Sequence, residues 1–252
     1  MHRIGRSIAL LFSLLLAAMP AFAQGINLRW TECVADGGMR NATFACNTNS
    51  GQRVLVSSFV LPGPVTGSSG VSGVIDIIAA DVTLPDWWNF RVCRSGSILA
   101  GLSTIAPVLC ADAYGICDSH VGISAILPGV PAVNGERLEF SRTFCNFGPP
   151  PIIYPNLASG VEYIGIPLTI NFTRTLGSPS CGGCPTPVCV TLTQMQVAAT
   201  TPAGGVTLTN PDIPPDGNVA TWQGGGPGPG GICAAATATR RAIWGSVKAL
   251  YR

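Results

Sequence analysis

Apolar residues occur along this chain in short runs that alternate with polar ones, and glycine and proline interrupt the runs at close intervals. A period of two puts one face of a segment into a core and the other into water, which is the signature of a β-strand. Strands are expected over residues 26–30, 53–61, 71–80, 121–127, 137–144, 161–174, 188–199, 206–210 and 219–222, each rich in Val, Ile, Thr or Phe. Helical periodicity is confined to the C-terminus. In the segment beginning at Val190, Val190 and Leu192 share one face until the phase slips near Gln194, which predicts a bulge. Ile164, Ile166, Leu168, Ile170 and Phe172 alternate as well, but Pro167 cannot donate to a ladder and marks this strand as an edge or as interrupted there. The expected fold is all-β: a disulfide-stapled antiparallel β-sandwich, immunoglobulin-like or jelly-roll, over residues 24–239. A short C-terminal helix or docking tail follows over 240–252. The Pro149-Pro150-Pro151 and Pro214-Pro215 runs read as ordered connections, and the glycine-rich 224–231 stretch as a flexible loop.

The N-terminus carries a different pattern. His2, Arg3 and Arg6 precede an apolar run over 8–16, and Ala21-Phe22-Ala23 supplies a small-x-small cleavage site, so residues 1–23 read as a secretory signal peptide removed before Gln24. All ten cysteines lie beyond that site, as fits folding in an oxidising compartment. Removing Arg3 and Arg6 from the fourteen bases balances the mature chain against its twelve acids. A neutral chain with a single lysine, Lys248, lacks the basic stripe that nucleic acid demands. No later apolar run reaches the length of a membrane helix, so no membrane insertion is expected after cleavage. The location expected is extracellular, cell-surface or periplasmic.

Cys33 and Cys46 bracket one polar loop, and Cys110 and Cys117 another, so local bridges are expected there. The remaining pairs expected are Cys93 with Cys145, Cys181 with Cys184, and Cys189 with Cys233. The cluster Cys181-Gly182-Gly183-Cys184 through Cys189 is also a zinc or redox spacing, but zinc requires further thiolates or histidines and a redox motif requires a helix behind it. No metal and no cofactor are therefore expected; Asp112 and Asp118, and Asp76 with Asp81, are weak calcium candidates without a spaced Asp-x-Asp loop. His120 is the one histidine left after cleavage and the necessary base of any histidine-dependent hydrolase. Asp76, Asp81, Asp86, Glu136, Glu139 and Glu162 offer carboxylates for a glycosidase pair, with no spacing that brings two together.

Two features hold functional promise. Asp86-Trp87-Trp88-Asn89, if extended, turns one indole inward and the other to the surface, where a sugar ring could stack with Asp86 and Asn89 as hydrogen-bonding neighbours. In the tail, Ile243, Val247 and Leu250 form an apolar stripe beside Trp244 and Tyr251, with Arg240, Arg241 and Lys248 supplying charge. That ending, with the early GINLRW and ACNTN segments and the CGGCPTPVC entry to a strand, resembles a group of uncharacterised secreted bacterial proteins with a cysteine-rich β domain. The resemblance implies a bacterial, exported setting and no activity. The function expected is that of an exported structural or interaction protein without catalytic activity, whose partners are envelope or extracellular proteins or glycans. The alternatives are a glycan-binding module built on Trp87 or Trp88 and a secreted hydrolase using His120 or a carboxylate pair.

Overall fold

The computed structural model describes residues 24–79, 83–100, 109–113, 124–128, 135–144, 153–212 and 217–225, with 124–128 described as backbone. Eleven strands and one short helical turn make up this part: β1 (Gly25–Trp30), β2 (Asn41–Ala42), β3 (Gln52–Val60), β4 (Thr66–Ala79), the 3-10 turn η1 (Asp86–Trp88), β5 (Ile98–Ala100), β6 (Ser124–Pro128), β7 (Gly135–Thr143), β8 (Glu162–Asn171), β9 (Val188–Thr201), β10 (Val206–Leu208) and β11 (Val219–Trp222). All nine expected strands are present with ends displaced by a few residues; β2 and β5, too short to show a period, are additions. No helix among the described residues is long and apolar enough to cross a membrane.

The strands form a disulfide-stabilised β-sandwich. One sheet has the order β1-β3-β8-β5, and the other runs β2-β11-β9-β4-β7-β6 with β10 paired to β9. All pairings are antiparallel except that of β2 with β11. One buried cluster joins the sheets: Ile26, Leu28, Leu55, Phe59 and Leu168 come from the first, and Ile75, Ile77, Leu138, Val190 and Leu192 from the second. Burying each such side chain contributes about 1.5–3 kcal/mol before entropy is counted.

Local chemistry explains the irregularities. The register of β4 on β9 passes from Val74↔Gln194 to Ile75↔Leu192, leaving Thr193 as the extra residue of a bulge at the expected phase slip. The bulge turns Met195 and Val197 into the core and leaves Gln194 and Gln196 exposed. Of the two outcomes expected at Pro167, β8 is not an edge, since it lies between β3 and β5, but its ladder is interrupted there. Pro167 sits where the ladder to β3 is irregular, since the register shifts after Val56↔Pro167, and the described pairing with β5 ends at Ala100↔Leu168. Gly73 pairs with Phe140, and a Cβ there would stand 2.4 Å from Cζ of that ring, so the glycine lets the ring lie across the strand.

Candidate functional site

The outer face of β1 carries a residue that a solvent-facing strand position does not ordinarily bury. Alternation along β1 directs Ile26, Leu28 and Trp30 to the core and Asn27 to the opposite face, yet Asn27 is 0% exposed. Register explains its neighbours. Asn27 pairs with Ser58 on β3, and Val60, two residues on, pairs with Glu162 at the start of β8, which places Asn27, Ser58 and Glu162 together on one face. From beyond the β1 edge, Asp212 is drawn in by its backbone N–H, which donates to the Ile26 carbonyl at 3.1 Å.

These residues form a single polar cluster. Asn27 Nδ2 donates to Glu162 Oε1 at 3.1 Å and to Asp212 Oδ2 at 3.0 Å, so one amide nitrogen stands between two carboxylates. Glu162 also accepts the Ser58 hydroxyl and the backbone N–H groups of Val34 and Ala35, the latter at 2.7 Å, which fastens the 33–36 loop over the sheet. Asp212 has fewer donors. Burial, and next the neighbouring Glu162 charge, raise its carboxyl above the usual aspartate range against the pull of the Asn27 hydrogen bond. Asn27 Oδ1 and Asp212 Oδ1 are both buried and accept no hydrogen bond among the described residues. No ion pair to either carboxylate is present among the described residues.

A second concentration of chemistry proves to be core. Trp87 and Trp88 are both 0% exposed, which corrects the expectation of one exposed indole. The extended reading failed because the segment is η1: in a 3-10 turn adjacent side chains diverge by about 120° rather than 180°, so both can face inward. Trp87 stacks on Trp222 at 5.1 Å, Trp88 meets Trp222 edge-on at 5.7 Å, and Trp30 lies 5.8 Å from Trp222. Arg94, also buried, lies 3.7 Å from the centre of the Trp87 ring and donates to the carbonyls of Trp87 and Asn171. Burial lowers its pKa to about 9, so the guanidinium remains a cation at neutral pH. Asp86 is exposed, and Asn89 Oδ1 accepts the N–H groups of Arg91 and Val92, which makes it a turn residue.

The other expected site residues are dispersed. Asp112 pairs with Arg142 at 3.1 Å, and Asp76 with Arg137 at 2.8 Å, so each of these carboxylates has a guanidinium as a partner. Glu136 is buried and Glu139 exposed on β7. Asp81, Asp118, His120 and the tail residues Arg240, Arg241, Ile243, Trp244, Val247, Lys248, Leu250 and Tyr251 lie outside the described residues. Of the described glycosidase candidates only Glu162 belongs to the buried cluster. Asn27 and Asp212 were missed; the available signal was an amide in an otherwise apolar half-strand, GINLRW, which sequence alone does not connect to residue 212.

The bridges also depart from the expected local pairing. Cys33 joins Cys110, Cys46 joins Cys184, and Cys93 joins Cys181. This overturns Cys33 with Cys46, Cys110 with Cys117, Cys93 with Cys145 and Cys181 with Cys184; sequence neighbours diverge in the fold, whereas chain returns bring distant loops together. Cys189 is disulfide-bonded too, and Cys117, Cys145 and Cys233 lie outside the described residues. Cys33, Cys110 and the Asp36 carboxylate have the proximity of metal ligands, but both sulfurs are consumed by their bridge. Asp36 accepts the Leu109 N–H at 2.8 Å and thereby ties that loop to its own. Comparison of the chain with protein-family models, with curated proteins and with solved structures finds no match.

Proposed function

We propose that this chain is an exported structural or interaction protein of a bacterial envelope or the extracellular space, and that its work is mechanical and adhesive rather than catalytic. The observation that carries the reading is the long-range bridging of the sandwich. Each described disulfide joins segments 77 to 138 residues apart, which ties loops of distant origin into a fold that already has a large core. The described ionisable groups support the same reading, because those with resolved partners are engaged in fastening loops and strands: Glu162 holds the 33–36 loop, Asp36 the 109–110 loop, and Asp112 the β7 arginine. A groove lined by Ser69, Val71, Ser72, Ser141, Thr143 and Gln196 offers hydroxyl and amide groups for contacts with a partner.

Intact mass of the native protein from separate cytoplasmic, periplasmic, envelope and medium fractions, with and without reductant, tests this. The expected result is a chain beginning at Gln24, with every cysteine oxidised, outside the cytoplasm, and cross-linking in that fraction that yields a species heavier than one chain. A reduced cytoplasmic chain overturns the export reading. A strictly monomeric, uncross-linked chain in the right fraction overturns the interaction reading.

A further inference from the structure

We propose that Asn27, Glu162 and Asp212 form a binding site for one hard divalent cation, calcium in the extracellular setting inferred above. The argument starts from unmet demand. Asn27 is 0% exposed and Asp212 8% exposed, so neither has water to complete its hydrogen bonding. The two oxygens without partners, Asn27 Oδ1 and Asp212 Oδ1, are both acceptors, and a buried acceptor left unmet costs about 1–3 kcal/mol. Two carboxylates share one neutral amide, with no ion pair to either among the described residues. Carboxylate and amide oxygens are the donors that calcium selects.

The spacing also fits. Asn27 Nδ2 lies 3.1 Å from Glu162 Oε1 and 3.0 Å from Asp212 Oδ2. A half-turn of the amide exchanges its nitrogen for its oxygen and sets that oxygen at these separations from the two carboxylates, which suit ligands about 2.3–2.6 Å from a calcium ion. Asp212 Oδ1 then becomes the second oxygen of a bidentate carboxylate and Asn27 Oδ1 a ligand, while the amide nitrogen takes the place where the oxygen had no donor. The remaining positions are open to water on the side of Glu162, which is half-buried. The framework is already braced, since Glu162 is held by Ser58, Val34 and Ala35, and the Asp212 backbone is bonded to Ile26. The donor count is low for calcium, which places the expected Kd in the range of extracellular modules, about 0.1–1 mM.

Calorimetric titration of the purified oxidised protein with calcium chloride, after chelator treatment, tests the site without reference to where the protein acts. Saturable one-to-one binding is expected, with a Tm rise of about 5–10 °C at a hundredfold excess over Kd, and Asp212→Asn is expected to fold and to lose both. Glu162→Gln is expected to weaken binding about tenfold or more, and it supplies a second variant should the first not fold. Absence of both heat and Tm change in the wild-type protein overturns the proposal, as does calcium binding that persists unchanged in Asp212→Asn. A Tm that responds to acid and not to calcium would overturn it too, by making a proton on Asp212 the occupant.

Discussion

At the scale of single residues, charges taken into the sandwich make the sharpest predictions. Glu136 is 6% exposed, and burial raises its carboxyl from 4.5 to about 6, outweighing the opposing pull of Arg91 and of a hydrogen bond from the Phe90 backbone. The folded state therefore holds this proton more tightly than the unfolded chain does. Stability falls as pH rises through the window from 4.5 to about 6 and, for this group, is level above it. Asp212, raised in the same direction, contributes with the same sign. Glu136→Gln is expected to be about 1 kcal/mol more stable than the wild type near neutral pH and equal to it in acid, read from urea midpoints at both conditions. Arg94 makes the opposite case. Arg94→Ala removes the stack on Trp87 and strands the buried Trp87 carbonyl and the half-buried Asn171 carbonyl, so a loss of about 3 kcal/mol is expected in the same assay. Neither burial was legible beforehand: a Glu in ERLEF and an Arg in VCRSG look like solvated residues until another segment covers them.

At the scale of elements, the period-two pattern was an effective guide because it reports a physical requirement. A strand between core and solvent must alternate, and a slip in alternation must be absorbed by the backbone. Thr193 is that absorption. Deleting it leaves Val190, Leu192, Met195 and Val197 in unbroken alternation on the core face, so the deletion is expected to keep a cooperative urea transition at a cost of under about 2 kcal/mol, whereas deleting Gln196, where no bulge absorbs the change, turns Met195 and Val197 to opposite faces and is expected to cost several times as much. Shorter elements escaped because they contain no full period. Strands β2 and β5 exist through their partners, and η1 places both indoles inward by the angle of a single turn. The Pro167 strand shows the same limit, since a proline can mark an edge or a break in an interior strand, and only the position of β8 between β3 and β5 and the register shift after Val56↔Pro167 decide between them.

At the scale of the whole molecule, the disulfides and the two sheets act as one clamp. The bridge Cys46–Cys184 spans 138 residues, and its Cys184 carbonyl accepts the Trp222 indole N–H at 2.8 Å, so it fastens the tryptophan cluster as well as the chain. Replacing Cys46 and Cys184 together by alanine is expected to cost about 5 kcal/mol and to diminish the near-ultraviolet circular dichroism of the tryptophans; replacing Cys33 and Cys110 is expected to cost about as much while leaving that signal intact. The amino-acid sequence by itself determined the all-β class, nine of the strand positions and the bulge, because alternation and turn residues act between near neighbours. It also placed every cysteine beyond the expected signal peptide. Tertiary structure alone decided which cysteines meet, that Trp87 and Trp88 belong to the core, and that Asn27, Glu162 and Asp212 share one buried amide. Those are contacts between residues far apart in the chain, and local periodicity sets which face a side chain takes but not which distant segment comes to cover it.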